Sequence, residues 1–487
     1  MKDLNILVIV VDQLRADCVG CFDNPQVKTP ALDALAGDAV RFTDAYCAYP
    51  SCSASRYSLL SGLFAHQHGA YTNESTLVPT IPTFARMLRD SGFRTTAVGK
   101  MGFTPTYLDV GFDHLWLCEQ FGDGRLDDDY HRDLVTANAL DFDDLATHGG
   151  EYAGQFGALA KSFGAQASML PDEVHSITWT GDQAMKELAA WSESPIDNLL
   201  LASFAKPGHP YTPSRRFLDM YDPTKLDLLP GWTDELAEHD AKFNSGPYAM
   251  GNLTEESMRS VLAHYYALVT QLDEQVGRMV DHLKKNGTYD DTLIIFTADH
   301  GDFMGCHHMI ATEGFPYESL IRVPLMIKFP GNDDGGAARE TLASLIDIAP
   351  TIVGMVDLAV PSSMTGLDLS DPDADRLMSF VQSGQSIFVA RSPEYKLIRT
   401  VEREESYFFD LRDDPDELDN CIFKSTYRDI VDQHLQALAD WILFHAPIHC
   451  HFDDEARCIS QPNVPQSADH RERMLRYFNE KIAELDA

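Results

Sequence analysis

Two apolar runs stop abruptly at acids. Asn5–Val11 (Asn-Ile-Leu-Val-Ile-Val-Val) ends in Asp12-Gln13, and Thr292–Ala298 ends in Asp299-His300. A strand whose successive side chains are nearly all apolar is buried on both faces, which places it inside a parallel sheet covered by helices. In open α/β sheets, sites form at the carboxyl ends of such strands. The two acidic pairs are therefore expected at one edge of one sheet, although they lie far apart in the chain.

The segments between these runs supply the crossovers. Helices are expected from Thr29-Pro30 to about Ala39, with Thr29 as N-cap, over Thr83–Asp90 with a stop at Gly92, and over Thr178–Trp191. The clearest helix is Thr254–Asn286, where Met258, Leu262, Tyr265, Val269, Leu272, Val276, Met279 and Leu283 recur every three or four residues and Gly287 follows. Strands are expected at Arg41–Asp44, Arg94–Gly99, Asn198–Ala205 and Pro324–Phe329, and a helix at Ser344–Val356. Between Leu115 and His175 the regularity fades, and Asp127-Asp128-Asp129 and Gly149-Gly150 read as loop. Beyond Val360, short strands at Ser386–Ala390, Tyr395–Thr400 and Tyr407–Leu411 precede a helix at Tyr427–Phe444. The chain reads as an α/β catalytic domain over residues 1–360 and a C-terminal α+β subdomain over 361–487 with a small antiparallel sheet.

At 487 residues the chain is too long for one ordinary core. Its net charge of −37 argues against nucleic acid, whose phosphates need clustered Lys and Arg. The nine cysteines are odd in number and irregularly spaced, so they do not read as a disulfide framework. The apolar run that ends at Asp12 is too short for a signal peptide or a membrane span. The reading is a soluble cytoplasmic protein without a membrane partner. A homo-oligomer is compatible with all of this.

The chemistry gathers on Cys52-Ser53-Ala54-Ser55-Arg56-Tyr57-Ser58-Leu59-Leu60-Ser61-Gly62. If a helix starts beside Cys52, free backbone N–H groups favour an anion there. Arg56, one turn on, can reach back to the same point. A lone Cys-x-x-x-Arg is more often a buried structural cysteine beside a paired arginine. The Asp12 and Asp299 pairs taken singly are ordinary caps. Together with Gln13 they offer the oxygen donors that a hard divalent cation takes.

The longer pattern Cys52-x-Ala54-Ser55-Arg56-x-x-Leu59-x-x-Gly62 resembles the signature of the formylglycine-dependent sulfatases of the alkaline phosphatase superfamily. Further landmarks stand in the family order at Val98-Gly99-Lys100, Gly111-Phe112-Asp113, His209-Pro210, Tyr266–Gly277, Thr297–Asp302, Asp347–Thr351 and Tyr407–Asn420. The resemblance implies an alkaline-phosphatase-like, mostly parallel sheet flanked by helices. It also implies a cysteine converted to formylglycine by a formylglycine-generating enzyme, and hydrolysis of a small-molecule or saccharide sulfate ester. Asp12, Gln13, Asp299 and His300, with residue 52, match the family's metal ligands. The metal is expected to be Ca²⁺, with Mn²⁺ or Zn²⁺ admitted by the histidine. Arg56, Lys100 and His209 match residues that steady the nucleophile, hold sulfate and serve the leaving group. Asn73 stands where some relatives contact substrate.

Three departures bear on specificity. Gln13 replaces a frequent Asp, Gly102 replaces a frequent His, and His307-His308-Met309-Ile310-Ala311-Thr312-Glu313 lacks the usual lysine, so His307 or His308 is a candidate substitute on the substrate. The first two departures also occur in relatives that cleave phosphonate monoesters and phosphodiesters, which keeps that reading open. A binder with an unconverted Cys52 is the remaining alternative.

Overall fold

In the computed structural model, the residues described are 4–120, 128–139, 161–192, 194–243, 250–312, 315–331, 334–400 and 405–445. Gly149-Gly150, much of the 115–175 region and the tail after 445 lie outside them.

Both acid-terminated runs are central strands. The main sheet contains β1 (Asn5–Asp12), β2 (Val40–Tyr46), β3 (Arg94–Gly99), β4 (His114–Leu117), β5 (Asn198–Pro207), β6 (Thr292–Ala298), β7 (Leu325–Lys328) and β8 (Ala338–Ser344), in the order β4-β3-β5-β1-β6-β7-β2-β8. β1 pairs in parallel with β5 and β6 at once, and every residue from Ile6 to Val11 is buried. Among the described strands of this sheet, only β7 runs antiparallel to its neighbours, β6 and β2. The sheet is mixed and mostly parallel, as the uniform apolar runs require.

Helices cover the sheet: α1 (Pro30–Asp38), α2 (Cys52–Ser61), α3 (Phe84–Asp90), α4 (Asp129–Thr136), α5 (Ser176–Trp191), α6 (Glu255–Asn286) and α7 (Ile348–Met355). The Thr254 hydroxyl caps α6, which is closed by Gly287 in the left-handed region (φ 71°). Thr29 precedes α1 without capping it: its hydroxyl accepts from the Gly20 N–H and reaches Asp33 instead. Asp128 belongs to no simple loop, because its carboxylate caps α4 by accepting the His131 N–H. The expected helix at 344–356 opens with a 3-10 turn, Leu345–Asp347, before α7.

A separate antiparallel sheet, β12-β11-β10-β9, is formed by β9 (Ser379–Ser383), β10 (Ile387–Arg391), β11 (Tyr395–Thr400) and β12 (Tyr407–Asp410). Helix α8 (Arg428–Phe444) packs on it, with Trp441 stacked on Phe380 at 5.0 Å. Trp441 also meets Phe64 edge-on, and the Gln382 N–H donates to Ala48 O. The small sheet therefore braces the segment that carries Cys52. No helix among the described residues is long and apolar enough to cross a membrane.

Candidate active site

The site is built where four neighbouring parallel strands end. Asp12 closes β1, Asp299 follows β6, Lys100 follows β3, and His209 lies two residues past β5. Adjacent strands bring these ends together, which is why residues so distant in sequence lie side by side. Two close approaches need glycine. A Cβ on Gly99 (φ 95°) would sit 1.9 Å from Ser203 O, and one on Gly208 would sit 1.9 Å from the Asp12 carboxylate.

Helix α2 presents the fifth element. Cys52 is its first residue and Gly62 ends it in the left-handed region (φ 66°). The Cys52 Sγ lies 3.2 Å from Asp12 Oδ1, 3.3 Å from His300 Nε2 and 3.3 Å from Lys100 Nζ. Asp12, Cys52, Asp299 and His300 each offer a ligand atom, all within 4.8 Å of one another. The expectation that the helix N-terminus is open to an anion needs one change: Asn73 Oδ1 accepts the Ser53 N–H at 3.2 Å and the Ser51 hydroxyl at 3.1 Å. Asn73 thus steadies the first turn of α2.

The charges are buried and paired. Lys100, fully buried, donates to Asp12 Oδ1 at 2.7 Å and to Gln120 Oε1 at 2.8 Å. Burial disfavours its charged form, but Asp12 and then Cys52 outweigh this and raise its pKa. Arg56 donates through Nε to Asp299 Oδ2 at 2.9 Å and through Nη1 to Ser203 Oγ and Lys100 O. Its Nη2 is buried without a hydrogen-bond partner. Burial works against ionised Asp299, yet His300, Arg56 and Lys100 together hold its carboxyl below the usual range. His300 is the mirror case: burial lowers it, and Asp299 followed by Cys52 pushes it up to about 10. Its Nδ1 is 2.9 Å from Gly301 O, which leaves Nε2 facing residue 52.

This donor set fits a divalent cation. Two carboxylates, one imidazole nitrogen and residue 52 converge, and the proton that Asp299 and Cys52 hold on His300 stands where a cation would, so its release frees Nε2 to ligate. Gln13 meets the cluster through its backbone, whose N–H donates to Asp299 Oδ1 at 3.0 Å, while its side chain turns to neighbours of the cluster. Its Nε2 donates to Asp302 Oδ2 and its Oε1 accepts the His209 N–H at 3.3 Å. Asp302 is itself fixed by Tyr211 OH, Met304 N and Ala311 N.

The sequence from residue 4 to residue 358 matches the family model described as Sulfatase. The chain belongs to the sulfatase family. This sulfatase is 29% identical to the arylsulfatase of Clostridium perfringens (strain 13 / Type A), over 88% of its own chain and 92% of the relative. It is 30% identical to the choline-sulfatase of Rhizobium meliloti (strain 1021), over 73% of its chain and 68% of that protein. The phosphonate monoester hydrolase of Agrobacterium radiobacter superposes with a TM-score of 0.76, covering 94% of this chain and 100% of the other at 22% identity. That likeness shows a shared fold.

Around the sulfatase cluster, the remaining candidates divide. His209 is half-buried; burial, with Lys206 next, pushes its imidazole down to about 3, so it is neutral before an anion binds. His307 and His308, the candidate substitutes for the missing lysine, have both ring nitrogens engaged outside the Cys52 cluster. His307 faces Asp240 Oδ2 at 3.1 Å and Asp416 O at 3.0 Å, and His308 faces Thr233 O at 2.7 Å and Met250 O at 3.1 Å. Both take left-handed backbone conformations (φ 53° and 60°), which turn the His307 ring toward Asp240 and Asp416 and the His308 ring toward Thr233 and Met250. Sequence reasoning missed Gln120, Glu119 and Ser203. Glu119 accepts the N–H groups of Met101 and Gly102, at 2.8 and 2.9 Å, and so holds the turn after Lys100. Burial pushes its carboxyl up to about 7. No motif marks these three, because their importance lies in what they touch.

Proposed function

We propose that this sulfatase hydrolyses a sulfate monoester of a small alcohol or sugar, using residue 52 as formylglycine and one divalent cation held by Asp12, Gln13, Asp299 and His300. The observation that carries the reading is the position of Cys52 Sγ, within 3.2–3.3 Å of an acid, an imidazole and an ammonium together. A structural cysteine gains nothing from three such neighbours. The names of relatives support the substrate class: an arylsulfatase, a choline-sulfatase and an N-acetylglucosamine-6-O-sulfatase.

Formylglycine would supply an oxygen nucleophile that can be regenerated by C–O cleavage, and the cation would acidify that oxygen and draw charge from the sulfate. The chain's own residues do the rest. Lys100 neutralises non-bridging sulfate oxygens from one side. Arg56, with Nη2 uncommitted, holds the nucleophile's second oxygen or a sulfate oxygen. Asn73 keeps the first turn of α2 in register. His209 is the chain's candidate to pass a proton to the leaving alcohol; the negative charge of a bound sulfate favours its protonated form, and the proton comes from solvent as the ester binds.

Ca²⁺ suits the carboxylate-rich set, and the His300 nitrogen also admits Mn²⁺ or Zn²⁺. A phosphonate monoester or phosphodiester is the second reading. Gln13 in place of a carboxylate makes the site less anionic, and one relative, at 27% identity, is described as a multifunctional alkaline phosphatase superfamily protein.

Parallel assays of aryl sulfate and aryl phosphonate esters test the choice, alongside mass spectrometry of the peptide containing Cys52. Sulfate release that tracks an aldehyde-bearing fraction of residue 52 is the expected result. Many turnovers by fully unconverted protein would overturn the formylglycine assignment. A larger kcat/KM on the phosphonate would install the second reading.

A further inference from the structure

A second group of ligating side chains lies outside the Cys52 cluster. His239, Asp240 and His307 each offer an atom within 4.8 Å of the others. Asp240 is completely buried, His307 is nearly so, and the His239 side chain is 37% exposed. Each ring faces its own oxygen of the shared carboxylate: His307 Nδ1 is 3.1 Å from Asp240 Oδ2, and His239 Nε2 is 3.2 Å from Asp240 Oδ1. Ligands about 2.0–2.1 Å from a zinc ion can be no more than about 4.2 Å apart, a span that small side-chain adjustments reach from this cluster. The Tyr317 hydroxyl completes the group, 2.8 Å from Asp240 Oδ1 and 3.0 Å from His239 Nε2.

The proton count at His307 adds an independent argument. A neutral imidazole carries one N–H. The Nε2 of His307 faces Asp416 O at 3.0 Å, a backbone acceptor that takes that proton. The Nδ1 faces a carboxylate oxygen 3.1 Å away, where a proton or a metal ion supplies the positive charge between them. A backbone carbonyl on the far nitrogen is also the usual outer support of a metal-bound histidine. Stacking on Tyr317, with ring centroids 3.7 Å apart, locks the ring plane.

We propose that His239, Asp240 and His307 form a second metal site that takes Zn²⁺, with the Tyr317 hydroxyl or a water in the fourth position. Two imidazoles and a carboxylate match zinc better than Ca²⁺, which prefers six to eight oxygens. Access is from the exposed side of His239. The ion ties the 238–243 segment to the loop that follows Asp299-His300, alongside the Trp232–Cys306 bridge and the His307 N–H bond to Gly231 O. Its role is structural, and it is independent of the Cys52 cluster.

The test uses the full chain, stripped by exhaustive chelation, equilibrated with excess Ca²⁺ and titrated with Zn²⁺ by calorimetry, with metal counted by mass spectrometry. Wild-type protein is expected to hold one more zinc per chain than His239→Ala, which should bind that ion at least 100-fold more weakly. Asp299→Asn should retain it. His239→Gln serves if the alanine variant fails to fold, with the same expected loss. In wild type, Zn²⁺ should raise the Tm, and in the His239 variants it should not. Equal zinc content in wild type and the His239 variants would overturn the proposal, and so would loss of all tight zinc in Asp299→Asn. Either result would leave the cluster a hydrogen-bonded network.

Discussion

Two of the buried acid–base networks among the described residues are alike in charge and differ in what they enclose. In the first, Lys100 pairs with Asp12 and Arg56 with Asp299, around Cys52. In the second, Lys396 on β11 sits between Glu318 and Glu417, at 3.2 and 2.7 Å, and Arg391 on β10 lies 3.6 Å from Glu318. Burial works against ionised Glu318, yet Arg391, Lys396 and Arg322 hold its carboxyl down at about 2. The pairing is as close as at Cys52, and Lys396 is as deeply buried as Lys100. The difference lies in what the charges surround. The Glu318 network joins the main chain fold to the small sheet and encloses no nucleophile. The Cys52 network encloses a thiol and a converging donor set at the carboxyl edge of the sheet. Buried charge alone therefore marks cost and specificity of packing; a reactive atom at its centre marks a site.

Cys52→Ala breaks this comparison on the chemical side. It should lower kcat/KM for a sulfate ester by about 10⁴-fold or more, as loss of a nucleophile does elsewhere. Its Tm should stay near wild type, because no charge is left unpaired. A variant that keeps a tenth of the activity would remove Cys52 from the mechanism.

Lys396→Met tests the other side. It leaves Glu318 and Glu417 without their shared partner and should cost about 3–5 kcal/mol in urea unfolding. The activity of folded molecules should change less than about threefold. A large fall in kcat in the folded protein would show that the two networks are not separate.

Glu119 links charge to pH. Its folded pKa, near 7, lies above the ordinary 4.5, so the folded protein binds the proton more tightly than the unfolded chain. That contribution is complete below pH 4.5 and declines as pH rises to 7, by roughly 3 kcal/mol at 1.36 kcal/mol per unit. Glu119→Gln should remove this slope from Tm measured against pH. An unchanged slope would assign it to other groups.

His209→Ala should cut turnover of alkyl sulfates by about 100-fold and that of activated aryl sulfates by far less, since only the former need a proton on the leaving oxygen. Equal losses would take His209 out of that step. The smallest effect is expected for Asn73→Ala, which frees the first turn of α2 and should cost about 1 kcal/mol of stability, in the range of a lost cap. A Tm unchanged by the substitution would mean that water replaces the cap at no cost.

The sheet was legible because its central strands are buried on both faces: Asn5–Val11 and Thr292–Ala298 carry no period-two polarity to confuse the reading. Strands β4, β8 and β9 were missed. β4 and β8 are edge strands whose exposed faces carry polar or mixed residues, such as His114 and Glu340. The Asp128 cap was missed because an acidic triplet reads equally as loop. Asp12, Cys52, Arg56, Asp299 and His300 stood out in local pattern and Lys100 only through the family resemblance, and the structure brings all six together.

The chain alone determined which residue types stand at the ends of its buried strands, because an apolar run must end where solvent or a ligand begins. It determined the helix that opens at Cys52 for the same kind of local reason: small residues, then an apolar turn, then a glycine. Only the tertiary structure decided which partner each group meets. His307 and His308 have the composition of substrate ligands, but left-handed backbone turns aim them at Asp240, Asp416, Thr233 and Met250. Gln120 and Glu119 carry no signature, yet one contacts the Lys100 ammonium and the other the backbone beyond it. Side-chain direction depends on backbone dihedrals and on which strands lie side by side, and neither is a property of neighbours in sequence.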